Sequence, residues 1–390
     1  MNIKKKKILI KVTSSIGTSM ISNAEYHTLF YFCKWLSKDC DIVVSGIETQ
    51  SQIIEDLKKF NVKIKKPFLK YLFLKRFKYL FHIPISIINT FIDATFARPN
   101  LLVCLGGVFY NGLGIVITGK LLGFKTLVRS AEDHDGLAQF DSIFSFIGLY
   151  ARFRALISKF VIRNSDYFLT VGEWSIAYFR KKYNLSYLRS FMIPGPVDNS
   201  ICIQKSFYKT TLESKIKLKE NYKLESKYKT ILFIGSRPYK GTKNVFDLLI
   251  KLKKSNIKIK ILWISTSEEI RIRKSALNLN SYVKIIKPVN RDDLVALLKG
   301  VDFLFWSTHL GVGYGQIMLE SILCGTEIIC FNPIGDAKYL VQDNFYSHLD
   351  QVVDRIKGKK AAKKIYLPEF MNEKKLCNQH IDLFKKILES

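Results

Sequence analysis

Thr230-Ile231-Leu232-Phe233-Ile234-Gly235-Ser236-Arg237-Pro238-Tyr239-Lys240-Gly241 decides the reading of this chain. A short unbroken apolar run closed by glycine reads as a fully buried strand of a parallel sheet. The loop behind it brings two glycines and two cations together ahead of a helical pattern. Such a loop suits a diphosphate, although in a chain this basic it is also met as a plain turn with two exposed bases.

Outward from this stretch the same unit repeats. Downstream, apolar runs at Ile259–Ile264, Val283–Ile286, Phe303–Trp306 and Glu327–Phe331 alternate with amphipathic helical stretches. Upstream, Ile8–Val12 reads as a first strand, followed by a small-residue loop over 13–19 and a helix over about 24–37. Further strands are expected at Asp41–Ser45, Leu101–Leu105, Lys125–Arg129 and Asp166–Val171. The alternation is that of parallel sheets covered by helices. Residues 200–229, with eight lysines against three glutamates, separate the two series. They read as a connection and a solvated helix. The fold class expected is α/β, with two doubly wound domains over 1–200 and 201–370 and a C-terminal helix over 371–390. Ligands of such sheets sit at the carboxyl ends of the strands, and in a two-domain chain in the cleft between the domains.

A second glycine pattern lies at Gly311-Val312-Gly313-Tyr314-Gly315, directly before a helix that carries Glu320 and ends near Cys324-Gly325. Glycines admit close approach to a ligand, and the free N–H groups of a helix start attract phosphate. Glu320, about one turn into the helix, is placed to take ribose hydroxyls. The bland alternative is a tight turn with a solvated glutamate.

Taken together, these residues resemble the group 1 (family four) glycosyltransferases. Ile231 to Arg237 with Lys240-Gly241 is similar to that family's "ILFVGR…KG" stretch, and Gly313-Tyr314-Gly315 through Leu319-Glu320 to Cys324-Gly325-Thr326 to its "EGFG…LEAMACGTPV" stretch. Met192-Ile193-Pro194-Gly195-Pro196-Val197-Asp198 resembles "VIPNGVD", and Asn23-Ala24-Glu25 resembles the "GGAE" helix start. The matches fall in the family's order along nearly the whole chain. The resemblance implies a GT-B fold, two facing Rossmann-like domains, and metal-independent transfer of a sugar from a nucleotide-sugar donor with retained configuration. It gives Arg237 and Lys240 to the donor diphosphate and Glu320 to the ribose. Gly313, Tyr314 and Gly315 would line the phosphate or sugar, and Gly17 would belong to the first glycine loop. One position departs from the pattern: where the family has a second glutamate, eight residues before the ribose glutamate, this chain has Val312.

The turn Arg129-Ser130-Ala131-Glu132-Asp133-His134-Asp135-Gly136 is the densest set of ionisable groups behind any strand of the first domain. It falls where the family has its N-terminal-domain histidine. His134, then Asp133 and Glu132, are the catalytic candidates, able to orient an acceptor hydroxyl or stabilise a reacting centre. A capping and salt-bridge turn is the competing reading. Asp133-His134-Asp135 also spells the D-x-D metal motif of the other glycosyltransferase fold, but the remaining sequence matches the metal-independent one, so no metal or cofactor is expected.

Over 65–81, Lys70, Lys75 and Lys78 are interleaved with Phe73, Phe77, Leu80 and Phe81, the build of an interfacial helix or of an ordinary amphipathic one. With lipid-linked or glycan acceptors implied by the resemblance, an anionic membrane surface is an expected partner, on the cytoplasmic face. The charge supports this: 62 Lys and Arg against 33 Asp and Glu, a net +29. That balance excludes an acidic solvating protein and points to polyanions. It also fits a nucleic-acid binder with aromatic stacking platforms, but no helix-turn-helix, zinc-finger or RNA-recognition signature accompanies it. Nucleic acid is therefore not an expected partner. The seven cysteines show no C-x-x-C pair and read as reduced, mostly buried thiols. No stretch approaches the length of a transmembrane helix. The function expected is sugar transfer in surface polysaccharide or glycolipid synthesis.

Overall fold

The computed structural model describes residues 5–12, 23–47, 51–69, 78–138, 145–197, 207–361 and 365–390. The chain divides into two compact units, one of Met1–Pro196 with Phe370–Ser390, the other of Val197–Glu369.

Unit 1 runs β1 (Lys6–Lys11), α1 (Asn23–Leu36), β2 (Cys40–Ser45), α2 (Ser51–Lys58), β3 (Lys63–Lys65), α3 (Lys78–Ala97) and β4 (Leu101–Cys104). A π-helical turn at Val108–Gly112 leads into α4 (Leu113–Leu122), then β5 (Lys125–Arg129), α5 (His134–Ala138), α6 (Phe146–Asn164), β6 (Tyr167–Thr170), α7 (Glu173–Tyr183) and β7 (Ser190–Met192). The strands form one sheet in the order β3-β2-β1-β4-β5-β6-β7, and every pairing is parallel. Ile8, Leu9 and Ile10 are all fully buried, because helices cover both faces of β1. That is why the strand reads as an unbroken apolar run.

Unit 2 runs α8 (Phe207–Asn221), β8 (Lys229–Ile234), α9 (Thr242–Lys254), β9 (Ile259–Ile264), α10 (Glu268–Ala276), β10 (Val283–Ile286) and α11 (Arg291–Gly300). It continues with β11 (Phe303–Trp306), α12 (Gln316–Leu323), β12 (Glu327–Cys330), α13 (Gly335–Val341) and α14 (Leu349–Lys357). Its five parallel strands are ordered β10-β9-β8-β11-β12 around a core centred on Phe233, Phe246 and Trp263. The strand order reverses between β1 and β4 in unit 1 and between β8 and β11 in unit 2. Those reversals are the topological switch points where open α/β sheets take ligands.

The last helix, α15 (Glu373–Glu389), returns to unit 1. Its Phe384 and His380 pack edge-on against Phe32 of α1, at ring separations of 5.4 and 4.9 Å. The described cysteines are all free thiols, buried except for the half-buried Cys377. Cys202 lies outside the described residues. Among the described residues no helix is long and apolar enough to cross a membrane.

Three local expectations are corrected. The 65–81 segment does not start as a helix: Lys65 ends β3, paired with Ser45, and Pro67 favours extended backbone before it. Residues 66–69 run irregularly, with Leu69 held by Asn89 through hydrogen bonds of 2.8 and 3.1 Å, and the described part of the segment is helical from Lys78 onward. Residues 70–77, including Phe73, Phe77, Lys70 and Lys75, lie outside the described residues. The acidic turn is not a turn throughout, since α5 starts at His134 and Leu137 N–H donates to the Asp133 carbonyl at 2.9 Å. The helix expected to be solvated, α8, is packed: Leu218 is buried against Gly300 of α11, and Lys215 pairs with Asp302 at 2.9 Å.

Candidate functional site

In unit 2 the loops after β8 and β11 meet at the switch point. Gly241 has φ +82°, and a Cβ built there would lie 2.1 Å from the Ser307 carbonyl oxygen. Only glycine allows that conformation and that approach together. The Tyr239 carbonyl accepts a hydrogen bond from His309 N–H at 2.8 Å, which ties the two loops a second time. Asn244, in the first turn of α9, donates to Ser307 Oγ at 2.5 Å and lies 3.4 Å from His309 Nε2. Burial holds the His309 imidazole below its ordinary pKa.

Lys240 lies across Gly235. A Cβ on Gly235 would come within 2.9 Å of the Lys240 Cβ and Cγ, so the stem of the lysine occupies the space that a side chain there would need. The Gly235 carbonyl is held by the Trp263 indole N–H at 2.7 Å. Lys240 Nζ sits 5.5 Å from the Tyr239 ring and 6.0 Å from the Trp306 ring. Arg237, just before the 3₁₀ turn Pro238–Lys240, is exposed. The base nearer the strand ends is thus Lys240, with Arg237 reaching outward from the same loop.

The glycine loop after β11 is clamped from the far side. Asp336, fully buried at the start of α13, accepts from Gly313 N–H at 2.7 Å, while its own N–H donates to the Gly311 carbonyl at 2.9 Å. Gly315 (φ +77°) packs on the Trp306 indole, where a Cβ would fall 2.3 Å from a ring carbon. Tyr314 is buried. The chain then enters α12, whose first N–H groups point back toward this loop. Glu320, in the second turn, is buried rather than solvated, and one oxygen accepts from Gln316 Nε2 at 3.3 Å. Val312 is half-buried in the same loop and offers no polar side chain.

The structure therefore brings Arg237, Lys240, Gly313, Tyr314, Gly315 and Glu320 to neighbouring loops at the carboxyl edge of one sheet. Sequence reading missed Asp336, Ser307, Asn244 and Trp306. A weak signal for Asp336 existed in the Gly335-Asp336 pair after a strand, the same strand-glycine-polar grammar that marked the other loops. Gly17 lies outside the described residues.

In unit 1, Asp133 is buried, and both of its oxygens are engaged by α7. Tyr178 Oη donates at 2.6 Å, and Lys182 Nζ pairs at 3.0 Å. Burial, then the hydrogen bond to Asp133, raise the Tyr178 pKa. Ser130 Oγ donates to the Glu132 carbonyl at 3.0 Å, and Thr170 Oγ1 donates to the Ser130 carbonyl at 2.9 Å, which holds the turn to β6. Glu132 is exposed. His134 opens α5 beside this anchor, and its side chain and that of Asp135 lie outside the described residues. Asp133 thus serves as an anchor, paired with Tyr178 and Lys182 of α7, while Glu132 stands exposed at the end of the turn.

Comparison with known proteins matches this architecture. Residues 214–379 match the model of the family described as Glycosyl transferases group 1. The uncharacterized glycosyltransferase MJ1069 of Methanocaldococcus jannaschii is 24% identical over 189 residues, 44% of this chain. The match covers 47% of that relative, about half of its length. Among solved structures, Anabaena HepE in complex with UDP and glucose has a TM-score of 0.67 at 13% identity, covering 98% of both chains. Sucrose-phosphate synthase from Thermosynechococcus elongatus has a TM-score of 0.70 at 12% identity, covering 98% of this chain and 96% of that one. The fold is GT-B, and over residues 214–379 the chain carries the domain of the glycosyl transferases group 1 family.

Proposed function

We propose that this protein transfers a sugar from a nucleotide-sugar donor to a glycan or lipid-linked acceptor, retaining the anomeric configuration and requiring no metal ion. The product would be a surface polysaccharide or glycolipid made at the cytoplasmic membrane face. One observation carries the donor part: the Gly235–Gly241 and Gly311–Gly315 loops meet at the β8/β11 switch point, with Lys240 between them. The N-terminus of α9 opens from one loop and that of α12 from the other, which is the electrostatics a diphosphate needs. Glu320, a turn into α12, takes the ribose hydroxyls, and Lys240 with Arg237 neutralises the phosphates.

HepE was solved with UDP and glucose, which favours a uridine nucleotide for the first test. Thermal shift with UDP, GDP and ADP should single out one diphosphate as stabilising, and hydrolysis of its sugar conjugates should then name the donor. No stabilisation by any of them, with steep salt-dependent binding to duplex or single strands, would replace this reading with a nucleic-acid one. Glu320→Gln should weaken the chosen diphosphate about tenfold without lowering the melting temperature.

Val312 favours a second reading. A valine in place of the family's second glutamate leaves the donor sugar without that carboxylate, as in an impaired homologue that acts by binding. Turnover by the wild-type chain decides between the two readings.

A further inference from the structure

The helical layer formed by α3, α4 and α6 of unit 1 is built the wrong way round for a face turned to water. On α3 the buried residues include Ser86, Asn89, Thr90 and Asp93, while Ile88 and Phe91 are exposed. On α6 Ser158 is buried, while Leu149, Phe153, Leu156 and Phe160 are exposed, the two leucines at 65%. Their spacing of i, i+4, i+7 and i+11 makes one continuous stripe. Small residues let the helices approach: a Cβ on Gly114 of α4 would lie 2.9 Å from Thr90 Oγ1 and 3.0 Å from the Ser86 carbonyl. Polar and small groups inside, with large apolar groups outside, is the pattern expected against lipid. Since no described helix can cross a bilayer, the layer would lie on a membrane rather than in it.

The charge on this face has one sign. Helix α6 carries Arg152, Arg154, Lys159 and Arg163 and no acid. Arg152, Lys159 and Arg163, at i, i+7 and i+11, follow one edge of the stripe. The stripe ends at an open cavity of about 670 Å³, whose lining includes Lys120, Arg163, Arg189 and Lys386, with Leu188, 80% exposed, on its wall. Lys120 donates to Asn164 at 2.7 Å, so the ends of α4 and α6 abut there. The cavity's Asp166 is engaged elsewhere, accepting from Thr126 N–H and Oγ1 at 2.8 Å each. Among the described residues, none of the four cations has a carboxylate within ion-pair distance.

We infer that this face docks on an anionic lipid surface, with the acyl layer against the α6 stripe and a phosphate headgroup in the basic cavity at its end. A second copy of the chain fits less well, because two-fold pairing of α6 would set its cations against their own copies. A nucleic acid fits less well too, since it would leave the aliphatic stripe in water. The inference deepens the membrane contact proposed above, at a surface other than 65–81, and does not depend on the donor chemistry.

The test is sedimentation of the full chain with vesicles of phosphatidylcholine alone or mixed with phosphatidylglycerol, at low salt. Wild type should partition onto the mixed vesicles and not the neutral ones. Leu156→Asp/Phe160→Asp, and separately Lys159→Glu/Arg163→Glu, should each lower that partition about tenfold or more. Melting temperature and nucleoside diphosphate affinity should stay at wild-type values; if the aspartates unfold the chain, Leu156→Gln/Phe160→Gln takes their place. Wild type that ignores the mixed vesicles overturns the inference. So do α6 variants that bind as wild type while Lys70→Glu/Lys75→Glu/Lys78→Glu releases the protein, which would assign docking to 65–81. Inorganic phosphate that stabilises through Arg163 without vesicle binding would make the cavity a free-anion site. A dimer dissociated by Leu156→Asp without lipid binding would make the stripe an interface between copies.

Discussion

Lys11 closes β1 with its ammonium buried, 3.0 Å from Asp93 on α3 and 2.9 Å from Ser45 Oγ at the end of β2. Burial lowers its pKa although Asp93 pulls the other way. A pair this enclosed is costly to break from one side and often replaceable as a whole. Lys11→Met is expected to cost about 3–5 kcal/mol in denaturant unfolding, and Lys11→Met/Asp93→Leu to recover most of that. Gly241→Ala tests the donor loops in the same way. Its left-handed backbone alone should cost about 1 kcal/mol, and the Cβ must also displace the Ser307 carbonyl. We expect a lower melting temperature and loss of nucleoside diphosphate binding together. At the acidic turn the two neighbours should behave differently. Asp133→Asn leaves Lys182 and Tyr178 without their carboxylate and should destabilise unit 1 by about 1–3 kcal/mol. His134→Ala should lower turnover about 100-fold and leave calorimetric diphosphate affinity intact, because the diphosphate candidates belong to unit 2. A loss of only a few-fold would make the turn structural.

Among the elements, α15 carries a pH dependence. His380 is buried between Phe32 and Trp35, with Nδ1 2.8 Å from the Leu376 carbonyl. Burial, aided by Arg129, holds its pKa down to about 4. The folded value lies below the unfolded value of about 6.5. Its contribution is therefore fully present above pH 6.5 and lost as pH falls toward 4, amounting to about 3 kcal/mol. Unfolding followed between pH 7 and 4 should show that slope, and His380→Leu should flatten it. The elements were also what the sequence disclosed best. Runs such as Lys125–Arg129, Ile259–Ile264, Val283–Ile286 and Phe303–Trp306 are strands at the bounds read from the sequence, because strands covered by helices need short, mostly apolar runs such as the Phe-Leu-Phe-Trp of β11. The edge strand β3, Lys-Ile-Lys, carries one apolar residue, and its pairing with β2 rather than its composition makes it a strand. The glycine loops were legible for the same local reason: positive φ and close approach leave a residue type behind. Asp336, Asn244 and the Lys11–Asp93 pair were not, since each partner is supplied by another element many positions away.

At the scale of the whole molecule, the two units should respond separately to the donor. Nucleoside diphosphate should slow amide exchange in the loops after β8 and β11 and at the start of α12, and leave the amides of β1, β4 and β5 unchanged. Protection confined to unit 1 would move the donor site. The excess charge is also distributed with purpose. Three cations of α6, Arg152, Lys159 and Arg163, accompany an apolar stripe, whereas Lys240 and Arg237 stand behind a strand of the other unit. A salt titration should therefore weaken surface association more steeply than donor binding, since exposed charges are screened first.

One feature of the connectivity bears on biosynthesis. Unit 1 contains the first 196 residues but is finished by α15, whose Leu376, His380, Phe384 and Ile387 are buried in it, and unit 2 lies between in sequence. A ribosome delivers these parts in order. Phe32 and Trp35 thus await their cover while all of unit 2 is translated, and unit 2, uninterrupted in sequence, is free to fold first. Over that interval the nascent chain displays an aromatic groove that matches one helix not yet made, and any holdase meeting it would compete directly with α15.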